Sequence, residues 1–218
     1  MDLADDGYGL LHAGLQDDLL ESLRDEAFAD GTAGTRCLLD LVPVQTAAHA
    51  IKQQLIAAGI LPPSAVAIQA IAFDKTPGTN WKVAWHQDLM FPFADKVNSP
   101  GYETPSCKSG IHYARPPLDV LEELLAVRLH LDDCGETNGP LRVSPGTHRL
   151  ALIPSTDAAT RAITHGEAPC LALTGDILLM RPLLLHASSQ ATAPGHRRVL
   201  HVVYHSGRPL PERWHRSL

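Results

Sequence analysis

Between Val66 and Tyr204 the sequence is a succession of short apolar runs, each cut off by glycine or proline. This punctuation leaves no room for long helices and predicts strands joined by tight turns. Val66, Ile68, Ala70 and Ala72 alternate with Ala67, Gln69, Ile71 and Phe73, a period of two with both sets mainly apolar, so this strand should be covered on both faces. After a turn at Thr76-Pro77-Gly78, residues 81–90 read as the next extended segment. Further strands are predicted at 127–131, 141–143, 171–173, 177–180, 183–186 and 199–204. The pattern favours a β-sandwich or barrel, mainly β with flanking α-helices.

The helices belong to the N-terminal end. Leu15, Leu19, Leu20, Leu23 and Ala27 recur at helical spacing and predict a helix over 15–29, stopped at Asp30-Gly31. A second helix is predicted over 46–58, closed by Gly59, and a short third over 118–125. Residues 91–117, with Pro92, Pro100, Gly101, Pro105, Gly110, Pro116 and Pro117, form the least regular stretch and read as a lid or binding segment. At 218 residues the chain suits a single domain, with N-terminal helices at about 15–58 and a β core at about 65–206. A net charge of −6 argues against nucleic acid or an anionic membrane as partner. No apolar run is long enough for a transmembrane helix, and the acidic N-terminus lacks a signal-peptide pattern. Cys37, Cys107, Cys134 and Cys170 are scattered without a C-x-x-C pair, which fits a reducing cytoplasm. The oligomeric state is not legible in the sequence.

The chemistry gathers at Trp85-His86-Gln87-Asp88. In an extended strand, side chains two residues apart share a face, so His86 and Asp88 would converge as an imidazole and a carboxylate. A third ligand from a distant strand would complete a 2-His-1-carboxylate face, which leaves open positions and suits non-heme Fe(II).

Three blocks in this order resemble the phytanoyl-CoA dioxygenase family, whose members depend on iron and 2-oxoglutarate. They are His86-Gln87-Asp88-Leu89, the run from Asn138-Gly139-Pro140 to Ser144-Pro145-Gly146-Thr147-His148, and Gly175-Asp176 followed by His186-Ala187-Ser188 and Arg197-Arg198. The resemblance covers about residues 66–206 and implies a double-stranded β-helix (a jelly roll, cupin-like). It also implies that His86, Asp88 and His186 bind Fe(II), with 2-oxoglutarate and O2 as cosubstrates. By the same resemblance Arg197 grips the distal carboxylate of 2-oxoglutarate and Ser188 hydrogen-bonds it, while Arg128 and Gln69 are further candidate contacts. Arg198, on the opposite strand face, reads as a surface residue. The glycine- and proline-rich turns read as structural.

A small-molecule substrate is expected, with Gln87, Trp81, Lys82, Phe91, Phe93, Lys108, His112, Tyr113 and Arg115 as candidate contacts. Lys82, Lys108 and Arg115 could meet a carboxylate or phosphate, and the aromatics could line a pocket. An acyl-CoA, a free acid, an amino-acid derivative and a secondary metabolite all remain open. The favoured activity is hydroxylation of an unactivated carbon with release of succinate and carbon dioxide. A carboxylate at Asp88, where the related halogenases carry a small residue, favours it over halogenation. Desaturation or epimerisation at the same site, or a non-catalytic jelly-roll binding protein, are the alternatives.

Overall fold

A strand that is apolar on both faces must be covered twice, and the structure supplies helices on one side and a second sheet on the other. The computed structural model describes residues 2–28, 34–193 and 195–218. Its largest sheet has six antiparallel strands in the order β1 (Tyr8–His12), β11 (Asp176–Met180), β8 (Leu125–His130), β13 (Arg197–His205), β3 (Val66–Lys75) and β2 (Gly34–Arg36). Four short strands make the second sheet: β10 (Ala168–Cys170), β9 (Leu141–Val143), β12 (His186–Ser188) and β4 (Val83–His86). Together these two sheets are the jelly roll.

Period-two alternation divides the residues of the large sheet. Val127, Leu129, Leu200, Val202 and Tyr204 face outward, against α1 (Asp17–Glu26) and α2 (Val42–Ala57). Ile51, Leu55 and Leu23 of these helices are fully buried there, each worth about 1.5–3 kcal/mol of apolar transfer. Ala126, Leu178, Met180 and Val203 face inward and pack with Leu141, Val143 and Cys170 of the small sheet. Toward one end of the sandwich the inward positions become polar, and there the site lies. Among the described residues, no helix is long and apolar enough to cross a membrane.

The stretch 91–117 is not irregular. It folds as a three-stranded antiparallel sheet of β5 (Phe91–Phe93), β7 (Ile111–Arg115) and β6 (Glu103–Lys108). Its prolines sit where a small edge sheet tolerates them. Several other boundaries also differ. The extended segment over 81–90 pairs as a strand only from Val83 to His86. Where a strand is expected over 183–186, residues 181–184 form a turn through Pro182, with Leu184 N–H donating to Arg181 O, and the strand begins only at His186. The strand expected at 171–173 lies just earlier, at Ala168–Cys170. The third helix, α3 (Leu118–Glu122), is shorter than expected because Leu125 already belongs to β8. The unexpected strands β1 and β2 are edge strands whose pairing comes from their neighbours, and the amphipathic helix α4 (Ala158–His165) falls in a stretch without a prediction. The expected helix stop at Asp30-Gly31 and the middle of the Ala193-Pro194-Gly195 turn lie outside the described residues.

Candidate active site

The register of β4 on β12 makes His86 and His186 direct partners across the ladder, with ring centroids 4.1 Å apart. Asp88 joins them from beyond the end of β4, so the pleat of a regular strand does not deliver it. Its backbone N–H donates to Pro182 O at 2.9 Å. Gln87 holds the same turn: its side-chain amide donates to Ala151 O and Leu183 O at 2.8 and 2.7 Å and accepts from Ile153 N–H at 2.9 Å. The Asp88 carboxylate then stands 3.6 Å from His86 Nε2 and 3.5 Å from His186 Nε2. One donor atom from each of the three residues lies within 4.8 Å of the others.

Both histidines are oriented by the backbone. His86 Nδ1 pairs with Ala84 O at 2.8 Å and His186 Nδ1 with Leu184 O at 2.9 Å. A carbonyl only accepts, so Nδ1 carries the proton and each Nε2 lone pair is left for a metal. Burial lowers His186 to about 4, which keeps it neutral. For Asp88, burial presses the carboxyl upward, but the imidazoles of His186 and His86 prevail and hold it well below the usual carboxylate range. At His86 burial presses the imidazole downward, but the hydrogen bond and charge of Asp88 prevail and raise it, so a metal would displace a proton there. With both Nε2 atoms unprotonated, two imidazoles and a carboxylate are a donor set for a divalent transition metal.

A cationic wall faces this triad. Arg197, His201 and Val203 share the inward face of β13, beside Gln69, Ile71 and Phe73 of β3 and Arg128 of β8. The Arg197 guanidinium is buried at 3 % exposure and donates from Nη1 to Gly139 O. Arg128 is buried too, with Nη1 3.4 Å from His201 Nδ1. It points inward, not toward Glu122 outside the sandwich. Arg197 Nε, Arg128 Nε and Gln69 Oε1 are buried without a hydrogen-bond partner among the described residues, and all three residues line one cavity. Ser188 faces the same side, while Arg198 turns outward and pairs with Asp132 through Nε and Nη2 at 2.9 and 2.8 Å.

Lys75 was not singled out in the sequence. It is the Cα partner of Arg197 and is 1 % exposed. Its Nζ donates to Ser188 Oγ at 2.8 Å and to Ser189 O. The signal was the parity of β3: Gln69, Ile71, Phe73 and Lys75 fall on alternate positions of one strand. His201 shares the parity of Arg197 in the same way. Gly139 closes the cradle. At φ +71° it holds a left-handed conformation, and a Cβ there would stand 2.7 Å from Ser189 O and 2.9 Å from Lys75 Nζ. Gly139→Ala is therefore expected to cost about 1–3 kcal/mol of stability and to displace Arg197 and Lys75 together. Thermal unfolding measured with and without 2-oxoglutarate should show both the lower midpoint and a weakened ligand effect.

These walls enclose a cavity of about 1120 Å³. Trp81, Gln87, Phe91, Lys108, Tyr113 and Arg115 line it, but Lys82, Phe93 and His112 do not. Lys82 and His112 alternate away from it, and Phe93 is stacked on Trp214 at 4.8 Å in the core. Gln87 reaches the wall, yet its amide is spent on the backbone, so it positions Asp88 and has no free group for a substrate. Arg36, the last residue of β2, and Cys37 after it also line the cavity.

The sequence profile of the phytanoyl-CoA dioxygenase (PhyH) family matches residues 7–199. No curated protein sequence matches. Among solved structures, AviO1 from Streptomyces viridochromogenes is similar at a TM-score of 0.67 and 19 % identity, over 96 % of this chain and 94 % of that one. HygX from Streptomyces hygroscopicus with iron bound gives 0.63 at 16 % identity, over 99 % and 94 %. The α-ketoglutarate-dependent epimerase SnoN from nogalamycin biosynthesis gives 0.63 at 16 %, over 93 % and 77 %. At such identities the likeness shows the shared fold.

Proposed function

The chain belongs to the phytanoyl-CoA dioxygenase family, and on that premise we propose that it is an Fe(II)- and 2-oxoglutarate-dependent oxygenase that hydroxylates a carbon of a small organic molecule. One observation carries the reading: His86, Asp88 and His186 present a metal-ready face into the same cavity as the buried Arg197, which has no carboxylate partner among the described residues. HygX is described with nickel and 2-oxoglutarate bound, which agrees with it.

The residues fit both groups. Two imidazoles and one carboxylate suit Fe(II) and leave positions for a bidentate 2-oxo acid and dioxygen. When bound, the iron supplies activation of dioxygen coupled to oxidative decarboxylation of 2-oxoglutarate, with succinate and carbon dioxide released. The protein's part is placement and charge. The backbone carbonyls of Ala84 and Leu184 fix the two rings. Arg197 receives the distal carboxylate as a guanidinium fork. The hydroxyl of Ser188 accepts from Lys75 and keeps its own proton to donate to the same carboxylate. Arg128 offers its unpartnered Nε–H to the rest of the cosubstrate, and Gln69 can donate to it only from its amide nitrogen. The apolar wall of Ile71, Phe73 and Phe91 excludes water from the reacting carbon.

Lys75 adds a pH dependence. Burial, and then the neighbouring charge of Arg197, lower its ammonium to about 8 in the free protein. Arg197, Arg128, Cys134 and the Ser188 hydroxyl are the groups that face it. A bound dicarboxylate nearby would raise this value. Affinity for 2-oxoglutarate is therefore full below pH 8 and falls as the pH climbs through 8. Lys75→Met should flatten that fall. A wild-type dissociation constant unchanged on the alkaline side would remove Lys75 from the cosubstrate site.

The reading as a whole is tested by adding Fe(II) and 2-oxoglutarate without oxygen. A visible charge-transfer band is expected in the wild type and not in His86→Ala, and its absence from iron-loaded wild type would overturn the cosubstrate assignment. Once a substrate is found, ¹⁸O₂ separates the outcomes. Hydroxylation puts one labelled oxygen into the product, whereas epimerisation or desaturation puts in none. The four cysteines are all free thiols, which supports a cytoplasmic location.

A further inference from the structure

We propose that the cavity carries an anion subsite at Arg36, Lys108 and Arg115, and that the substrate is an organic carboxylate or phosphate with an apolar body. The inference deepens the oxygenase reading and rests on it for the word substrate. It starts from charge. The protein as a whole carries −6. The cavity wall, among the described residues, carries five cations (Arg36, Lys108, Arg115, Arg128 and Arg197) against one carboxylate, Asp88. Asp88 is committed to the metal triad, and a bound divalent metal would make the wall more positive still. The two negative charges of 2-oxoglutarate have Arg197 and the metal as partners. Beside Arg128 a cationic excess remains at Arg36, Lys108 and Arg115, which come from β2, β6 and β7.

The excess is built by alternation. The hairpin of β6 and β7 turns Ser106 and Lys108 from one strand, and Ile111, Tyr113 and Arg115 from the other, toward the cavity. Its outward positions include Cys107 and His112. Arg36, at the end of β2, approaches from the large sheet and contacts the buried phenol of Tyr113. Arg115 pairs with Glu103, which is 61 % exposed and stands outside the cavity wall. Neither Arg36 nor Lys108 has a carboxylate partner among the described residues. Two exposed cations, a guanidinium whose carboxylate partner Glu103 is solvent-exposed, and a tyrosine therefore line one cavity, with Lys108 and Arg115 at opposite ends of the hairpin and Arg36 against Tyr113. Guanidinium and ammonium donors with a phenol match an oxyanion, the guanidinium bidentately. The same cavity also has apolar and aromatic lining, with Met90 and Phe91 from the segment after Asp88, Trp81 under Lys75 Nζ and Phe73 against Arg128 and His201. A ligand held by its anion at these cations would lay an apolar carbon chain toward the metal.

The test uses matched probes on the metal-free protein: 3-phenylpropionate and 2-phenylethyl phosphate against 3-phenylpropanamide, by isothermal titration. The acids should bind about tenfold or more tightly than the amide. The preference should survive Arg197→Met, which removes the deep cation, and vanish in Arg36→Glu/Lys108→Glu. Equal affinity for acid and amide, no binding of either, a preference lost with Arg197→Met, or one retained in the double variant would each overturn the proposal. An anion preference in a protein that forms no 2-oxoglutarate band would sink the oxygenase reading alone. A normal band without the preference would sink the anion subsite alone.

Discussion

Asp88→Ala is expected to lower succinate release by roughly a thousandfold or more, a loss of at least about 4 kcal/mol in transition-state stabilisation. The carboxylate stands between His86 Nε2 and His186 Nε2, at 3.6 and 3.5 Å, and is the only anionic donor of the triad. Without it two neutral imidazoles remain, and a divalent ion loses both a ligand and its charge compensation. Metal affinity should fall by at least about a hundredfold, since even outer partners of metal ligands are worth 10–100-fold. The fold should survive, because the turn is held by Gln87 and by the Asp88 backbone, and neither needs the carboxylate. Co(II) or Fe(II) titration, far-ultraviolet dichroism and succinate assay together decide the matter. A folded variant with wild-type succinate release would show that the metal is held elsewhere.

Arg197→Met should produce the second-largest effect, and a selective one. The guanidinium is 3 % exposed and has no carboxylate partner among the described residues. Its neighbours are Gly139 O, Cys134 and the cations Lys75 and Arg128. Removing a buried partner of a carboxylate costs about 2–5 kcal/mol, or roughly 30-fold to several thousandfold in the dissociation constant of 2-oxoglutarate. Metal affinity should change little. Stability should move the other way. A buried, uncompensated cation beside two others is a strain on the ligand-free fold, so the methionine variant should unfold at the same temperature as the wild type or higher. Added 2-oxoglutarate should raise the wild-type midpoint and leave that of the variant unmoved. An unchanged affinity for 2-oxoglutarate would remove Arg197 from the cosubstrate site.

Much of the fold and of the site is legible in the chain itself. The alternation in β3 and β13 reports strand and burial on both faces, because side chains of a strand must point to opposite sides and each apolar set needs its own cover. The His-x-Asp pair and the turn runs point to a family and a metal. The same alternation separates Arg197, turned inward, from Arg198, turned outward. It also carries Lys75 and His201, which lie in step with Gln69 and Arg197, though a lysine before a turn looks like any solvated charge. What the sequence could not decide was set by contacts between distant segments. Asp88 reaches the triad past the end of its strand, in a turn whose Gln87 side chain is bonded to residues 64, 66 and 96 positions further along the chain. The three-stranded sheet over 91–117 hides beneath its prolines, and Lys82, Phe93 and His112 are excluded by which way that sheet and its neighbours face. Local alternation and turn chemistry are properties of neighbouring residues, so one sequence determines them. The partner of a strand edge and the residue across a cavity depend on long-range packing, whose free energy exists only once the whole chain has closed.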